Sequence, residues 1–531
     1  MGIYIDYFGR NIYTLQIKKH TNKKESKLID IIMPPAKLAE SLSRERPGAK
    51  HHKMLIDGKW VASSTGEETA VHSPVTGEII GYVPVPSPED VDRAVKSSRA
   101  AFEKFRQWGP FDRAQLTHRI AQSIDKRLDE LARMESLENG KPYAAEALTC
   151  VAETAENFRI AAEDVKRQES PIIPARDPNK RIFTFYRPYG VWVCITPWNF
   201  PTLIPSELLA PGIAAGNTLI FKPSEYTPIT GLLFAEIIQD ADLPPGVLNC
   251  LPGAGPTVGD QLVTHAGVDA IGFIGSDRTG LMISQRAGLK HKLLEMGGNG
   301  PTIILDDANL EKAAELTAFG CFYDSGQVCC ATERILVSQR VYPEFKERMV
   351  DQAKKIVLGD PFDPATTMGP LCNEMTAAKM DRHLADAVKL GGKVLFGGKR
   401  ATGFPTNLYY EPTVIADVPE GALIHSEESF GPLAAMLQVG NDDEMIRIAN
   451  SGKYGLQMGL FTSSLKRSMY FADRLKTGNL VVNDSTDYWE PHVPFGGGGG
   501  TVSGHGRIGG KYTLQNMVYL NTVVIDYMNT R

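Results

Sequence analysis

No run of eighteen apolar residues occurs in the chain, which leaves no candidate for a membrane-spanning helix. Cysteine is scarce and badly placed for structural roles. The seven cysteines (Cys150, Cys194, Cys250, Cys321, Cys329, Cys330 and Cys372) are odd in number and irregular in spacing, with no CxxC pair. That argues against a disulfide framework and against a zinc site, and points to a reducing compartment, the cytoplasm. No metal-ligand cluster is expected. Excess positive charge is also lacking: Lys and Arg number 57 against 62 Asp and Glu, a formal net charge of −5. No global basic field points to nucleic acid. There is no internal repeat, and the low-complexity content is the run Gly496 to Gly500, whose backbone is expected to be mobile. The first 32 residues carry no compact apolar core and no small-residue cleavage site, so they do not form a signal peptide. Asp6, Glu25 and Asp30 interrupt their basic character, so a mitochondrial matrix address is the secondary alternative, and Met33 is an alternative start. Residues 1–53 are expected to be a loosely ordered extension.

What is present is a soluble α/β composition, 42% hydrophobic and 22% charged, in 531 residues, enough for two or three domains. Met54 to Val61 predicts a hairpin turning at Asp57-Gly58. Ser87-Pro88-Glu89-Asp90 opens a helix with a serine cap, a first-turn proline and acids at the positive end of the dipole. Helical spacing continues over Arg113 to Glu138 and Glu153 to Arg167. Short apolar strands then alternate with helices: Val191–Ile195, Thr218–Lys222, Val247–Leu251 and Ala270–Ile274. A second series comprises Thr302–Leu305, Arg334–Val337, Ala434–Val439, Leu460–Thr462 and Leu480–Asn483. Both predict parallel, doubly wound sheets, with a glycine-rich joint at Leu293 to Gly298. The cleft between them is the default active site. Arg181–Tyr186 and Asn516–Tyr527 read as strands of a small separate sheet.

Five stretches carry candidate chemistry. Gly326-Gln327-Val328-Cys329 lies between a helix ending at Phe322 and a buried strand, where a thiol is both fixed and reachable. Gly275-Ser276-Asp277-Arg278-Thr279-Gly280 follows a strand and opens a helix, which suits a phosphate or is an ordinary turn. Lys222 and Glu225 end another strand, where they could meet a ribose or form a solvated pair. Asn199, between Pro197 and Pro201, is an oxyanion donor or a turn residue. Glu295, between Leu294 and Met296, is a desolvated base or a helix cap.

Taken together and in this order, these stretches resemble the aldehyde dehydrogenase superfamily. Glu428-Ser429-Phe430-Gly431-Pro432, Pro494-Phe495-Gly496-Gly497 and Ser503-Gly504-His505-Gly506-Arg507 complete the resemblance, which spans about Met54 to Thr522. It implies a Rossmann-like NAD-binding domain (54–165 and 188–295), a catalytic domain (296–495) and a β oligomerisation element (166–187 and 496–531). It implies Cys329, not Cys330, as nucleophile, Asn199 and the Cys329 N–H as oxyanion donors, and Glu295 as the base that activates water. The thiohemiacetal would yield hydride to nicotinamide, and the resulting thioester would be hydrolysed. Lys222 and Glu225 would hold the adenosine ribose, Gly275, Ser276 and Gly280 the phosphate loop, and Glu428 and Phe430 the nicotinamide ribose and ring. Glu225 favours NAD, with NADP also acceptable. No metal is required.

Ile204, Glu207, Tyr323, Tyr488 and Trp489 would line the aldehyde tunnel. Their aromatics and acids suit a cationic amino-aldehyde, an aromatic aldehyde or a generalist pocket. Two features depart from the family: the Gly496 to Gly500 run, and Asp277, whose carboxylate would weaken cofactor binding or point to solvent. The partners expected are a small aldehyde and further copies of the chain, as homodimer or homotetramer. A catalytically silent binding protein on the same fold and a CoA-acylating enzyme are the alternatives. Retention of Cys329, Glu295 and Asn199 together argues against the first, and retention of Glu295 in its motif argues for hydrolysis over the second.

Overall fold

A computed structural model describes residues 3–4, 16–17 and 49–529. Most of the expected loose extension lies outside the described residues. Within it, Ile3–Tyr4 pairs antiparallel with Gln16–Ile17.

Two large sheets dominate. The first has eight strands, in the order Gly504–His505, His291–Met296, Ala270–Gly275, Val191–Ile195, Thr218–Lys222, Leu248–Cys250, Met54–Ile56 and Lys59–Val61. Its five central strands run parallel, and antiparallel strands close both sides. The second has seven, in the order Lys393–Phe396, Thr413–Ala416, Leu433–Val439, Arg334–Ser338, Pro301–Ile304, Gln457–Phe461 and Asn479–Val482. All but its first pair are parallel. Every residue of Val191–Ile195, Thr218–Lys222 and Arg334–Ser338 is buried, as strands covered on both faces require. Helices supply that cover: Pro110–Lys126 packs on Leu148–Lys166, which packs on the wholly buried Leu203–Ala215.

Local chemistry explains the smaller features. Asp57 and Gly58 both take left-handed φ (54° and 71°), so the hairpin closes on a two-residue turn. Ser87 and Asp90 form a reciprocal capping box at the start of Pro88–Phe105. Val518–Asp526 pairs antiparallel with Lys180–Pro188 along its whole length, and Ile172–Ile173 completes that three-stranded sheet.

Four expectations are corrected. Arg113 to Glu138 is two helices, Pro110–Lys126 and Leu128–Asn139. The backbone leaves helical geometry at Arg127, whose guanidinium is held by Glu130, Glu236 and Asp240. The glycine-rich joint begins as a strand: His291–Met296 pairs parallel with Ala270–Gly275, and the break follows it. Gly504–His505 joins the first sheet beside Leu294 and Glu295, so this part of 496–531 belongs to the site's framework. In the run Gly496 to Gly500, the first three glycines are buried. A Cβ on Gly497 would lie 2.7 Å from that of Ser503, so close packing, not mobility, accounts for them.

Candidate active site

The strand Val191–Ile195 leads into Thr196-Pro197-Trp198-Asn199, and the strand His291–Met296 carries Glu295 near its end. Both belong to the first sheet. Cys329 comes from the other side, on the loop between the helix Leu310–Phe322 and the strand Arg334–Ser338. The Asn199 amide joins the two, donating to the main-chain oxygen of Gln327 at 2.9 Å. An asparagine amide has two N–H groups, so one is left for a developing oxyanion.

The cysteine loop is sharply folded. Asp324, Ser325 and Gly326 take successive left-handed φ values of 46°, 55° and 70°. For the two non-glycine residues this costs about 1–3 kcal/mol each, so the surroundings must impose it. Ser325 Oγ donates to the Gly369 carbonyl at 2.8 Å, Gln327 Nε2 donates to the Asp324 carbonyl at 2.9 Å, and Gln327 Oε1 accepts from the Cys372 N–H at 2.9 Å.

Gly297 and Gly298 are explained by what approaches them. A Cβ on Gly298 would lie 2.5 Å from the Cys329 carbonyl oxygen, and one on Gly297 would lie 2.2 Å from a Glu428 oxygen. Only glycine admits both neighbours. Glu428 in turn accepts the Gly298 N–H at 3.0 Å.

The electrostatics follow from crowding acids in a dry place. Burial, then the carboxyls of Glu207 and Glu428, push Glu295 well above the carboxylate range, opposed by a hydrogen bond with the Cys329 thiol. Burial also pushes Glu207 and Glu428 to about 8. Cys329 is half-buried. Contact with the Cys330 thiol, burial and the Glu295 and Glu428 carboxyls hold its own thiol well above the ordinary value. Once ionised, a carboxylate of raised proton affinity is a stronger base than an ordinary one, which suits Glu295 to general-base work.

Of the residues expected to hold the cofactor, Lys222 and Gly275 stand at the C-terminal ends of parallel strands of the first sheet. Gly275 ends its strand at φ 157°, and Ser276 caps the helix Asp277–Arg286, whose N-terminus suits a phosphate. Gly280 is buried against Met296, whose sulfur leaves no room for a Cβ. Asp277 neither faces the phosphate loop unpaired nor simply points to solvent: it pairs at 2.5 Å with Lys453, on the loop that leads into the strand Gln457–Phe461. Lys222 is buried, with Nζ donating to Gly253 O at 2.7 Å and lying 3.8 Å from the exposed Glu225 carboxylate. Phe430, at φ 59°, stands edge-on to Trp198 with centroids 5.4 Å apart. A helix N-terminus whose nearby acid is paired fits the phosphates of a nicotinamide dinucleotide.

Ile204, Tyr323 and Trp489 pack in the same apolar cluster as Cys329, and Glu207 lies buried within reach of Glu295. Tyr488 does not join them. It is 46% exposed and its hydroxyl is bonded to Glu490 at 2.6 Å, because the loop turns it outward. Two residues that matter here, Glu333 and Lys141, are not among those the sequence motifs single out. Glu333 accepts the N–H groups of Ser429 and Phe430 at 2.7 and 2.8 Å, and so shapes the Glu428 loop. A carboxylate at the mouth of an apolar strand was its one visible mark. Lys141 lies beneath Asn199. Among the described residues no cluster could hold a metal ion.

The aldehyde dehydrogenase family profile matches residues 60–523. The chain belongs to the aldehyde dehydrogenase family. A mitochondrial aldehyde dehydrogenase of Mesocricetus auratus is 37% identical over 487 residues, covering 91% of this chain and 96% of that protein. Retinaldehyde dehydrogenase 3 of Rattus norvegicus is 36% identical, covering 90% and 93%. Among solved structures, betaine aldehyde dehydrogenase of Staphylococcus aureus in complex with NAD+ matches with a TM-score of 0.87 at 32% identity, covering 90% and 95%. An NADP-dependent enzyme of E. coli matches equally well, with a TM-score of 0.87 at 32% identity, covering 90% and 98%. The protein is thus an aldehyde-oxidising enzyme that uses a nicotinamide cofactor.

The acid cluster predicts a high-lying thiol titration. In the cofactor-free protein, alkylation of Cys329, followed by peptide mass spectrometry, should keep rising through and beyond the ordinary thiol range. Glu295→Gln removes one of the carboxyls that disfavour the thiolate, so it should move the curve to lower pH. A midpoint near neutrality in the parent, or an upward shift in the variant, would contradict this.

Proposed function

We propose that this aldehyde dehydrogenase oxidises its substrate to the free acid by covalent catalysis at Cys329. The observation that carries the reading is the convergence of Cys329, Glu295 and the Asn199 amide at one point between the two sheets. The Cys329 thiol gives its proton to Glu295 as sulfur adds to the aldehyde carbon. The second N–H of Asn199 stabilises the oxyanion, and the adduct is a thiohemiacetal. The nicotinamide supplies the hydride acceptor when bound. Once the adduct is a thioester, Glu295, its first proton released to bulk water, takes one from the attacking water and passes it to the departing Cys329 sulfur. The new oxygen–carbon bond forms, the carbon–sulfur bond breaks, and the acid leaves.

Lys222, Glu225, Ser276, Glu428 and Phe430 are proposed to hold the cofactor, with Glu225 favouring NAD. A 2′-phosphate would meet its carboxylate, which is exposed and only loosely paired with Lys222. All seven cysteines are free, which suits a reducing compartment, cytoplasm or mitochondrial matrix. The similar aldehyde dehydrogenases of Mesocricetus auratus and Rattus norvegicus are mitochondrial by name, which sets the matrix beside the cytoplasm.

Self-association as a homodimer or homotetramer is proposed from the three-stranded sheet. Ile172, Phe183, Val524 and Ile525 expose apolar side chains on it. Light scattering of the purified protein should give at least twice the chain mass of 58.2 kDa. A monomer at working concentration would refute the assembly.

Activity is tested by NADH formation with aromatic, aliphatic, amino- and acidic aldehydes, using NAD or NADP. NADH should form with at least one class, faster with NAD, and fall below detection in Cys329→Ala. Glu225→Ala should narrow the preference for NAD. Persistent activity in Cys329→Ala would overturn the mechanism. Faster turnover with NADP would overturn the cofactor preference.

A further inference from the structure

Beneath the loops bearing Asn199 and Cys329 lies a charged group that the reaction steps leave unused. Lys141 follows Gly140 in the turn after the helix Leu128–Asn139, and its side chain is fully buried. Its ammonium donates to the main-chain oxygen of Asn199 at 2.9 Å and lies 3.5 Å from the centroid of the Phe200 ring. It also lies 3.3 Å from Glu135 and 3.7 Å from Asp324.

These neighbours belong to different parts of the chain. Asn199 and Phe200 stand on the turn after a strand of the first sheet. Asp324 opens the strained turn of the cysteine loop, which serves the second. A single ammonium therefore spans both. Asn139 braces the same turn: its amide donates to the Trp198 carbonyl at 3.0 Å, while its oxygen accepts the Lys141 N–H at 3.1 Å. The peptide that carries the Asn199 side chain is thus gripped from below, and the side chain itself is fixed from above by Gln327.

A buried ammonium is costly unless paired, and one carboxylate would pair it. Here Glu135, Glu146 and Asp324 all surround it, and the shortest contact goes to none of them but to the Asn199 carbonyl. Burial pushes Lys141 down, but Asp324, Cys150, Glu135 and Glu146 outweigh it, so the lysine stays charged. Its charge is spent on placing two loops and not on neutralising one acid.

We propose that Lys141 is a positioning residue for the aldehyde chemistry, acting through Asn199 and Asp324 to hold the oxyanion amide and the cysteine loop in one register. The proposal rests on the reading of Asn199 as oxyanion donor.

The test is a double-mutant cycle of Lys141→Met with Asn199→Ala on the full-length enzyme. Two rates are read: aldehyde oxidation with NAD, and cofactor-free hydrolysis of p-nitrophenyl acetate, which needs the same oxyanion site. Misplacing a donor by roughly an ångström costs on the order of 100-fold, so Lys141→Met should lower kcat in both reactions by about that factor. KM for NAD should stay within about 2-fold, because no residue proposed to hold the cofactor is touched. In the Asn199→Ala background the share of the loss that runs through Asn199 should vanish, leaving less than about 10-fold for the hold on the cysteine loop through Asp324. Independent, multiplying losses would overturn the positioning role while leaving the oxyanion reading intact. Full activity in Asn199→Ala alone would overturn both. If Lys141→Met does not fold, Asn139→Ala carries the same cycle, with a smaller loss that must likewise vanish in the Asn199→Ala background.

Discussion

The hydrogen bond from the Asn199 amide to the Gln327 carbonyl crosses from one sheet to the other, and the reactive site hangs on it. Each sheet is rigid because its central strands are buried on both faces. What has to be specified is how the two meet. Glycine answers part of that at Gly297 and Gly298, where the missing Cβ atoms let Glu428 and the Cys329 backbone close in. Left-handed backbone at Asp324 and Ser325 answers the rest, aiming the loop at the strand that carries Glu295. Strain, close approach and a hydrogen bond across the sheets are three aspects of one junction.

That junction is also where acid accumulates. Glu207, Glu295 and Glu428 are buried together around a half-buried thiol, and each raises the proton affinity of the group beside it. Such a cluster favours the arrival of positive charge and resists the formation of a thiolate before it arrives. The start of the helix Asp277–Arg286 is arranged differently. There Asp277 has its charge answered by Lys453, and the helix N-terminus is left to act as a local positive pole.

Much of the fold was legible because buried strands announce themselves. Val191–Ile195 and Thr218–Lys222 lie where their apolar runs fall, between turn residues. The strand His291–Met296 is masked by its own ending: a carboxylate and two glycines there give it the look of a joint. The helical periodicity from Arg113 to Glu138 concealed the break at Arg127, because a salt-bridged kink leaves no mark on the apolar pattern. Within the site, Cys329, Glu295 and Asn199 stood out through the motifs around them. Lys141 did not, since a lysine in a polar turn looks solvated until the structure buries it. Tyr488 is the converse case, an aromatic expected in the tunnel lining that is 46% exposed and whose hydroxyl is bonded to Glu490. Partnership across the sheets is a tertiary fact, and neither burial nor pairing of this kind has a local signature.

The account depends on Cys329 carrying the acyl group and Glu295 removing it. The most direct measurement is mass spectrometry of the Cys329 peptide from Glu295→Gln enzyme quenched after mixing with NAD and a turned-over aldehyde. The account predicts a thioester adduct on Cys329 that accumulates in the variant and is sparse in the parent enzyme. An adduct on Cys330 instead, or no adduct in a variant that still turns over, would contradict it.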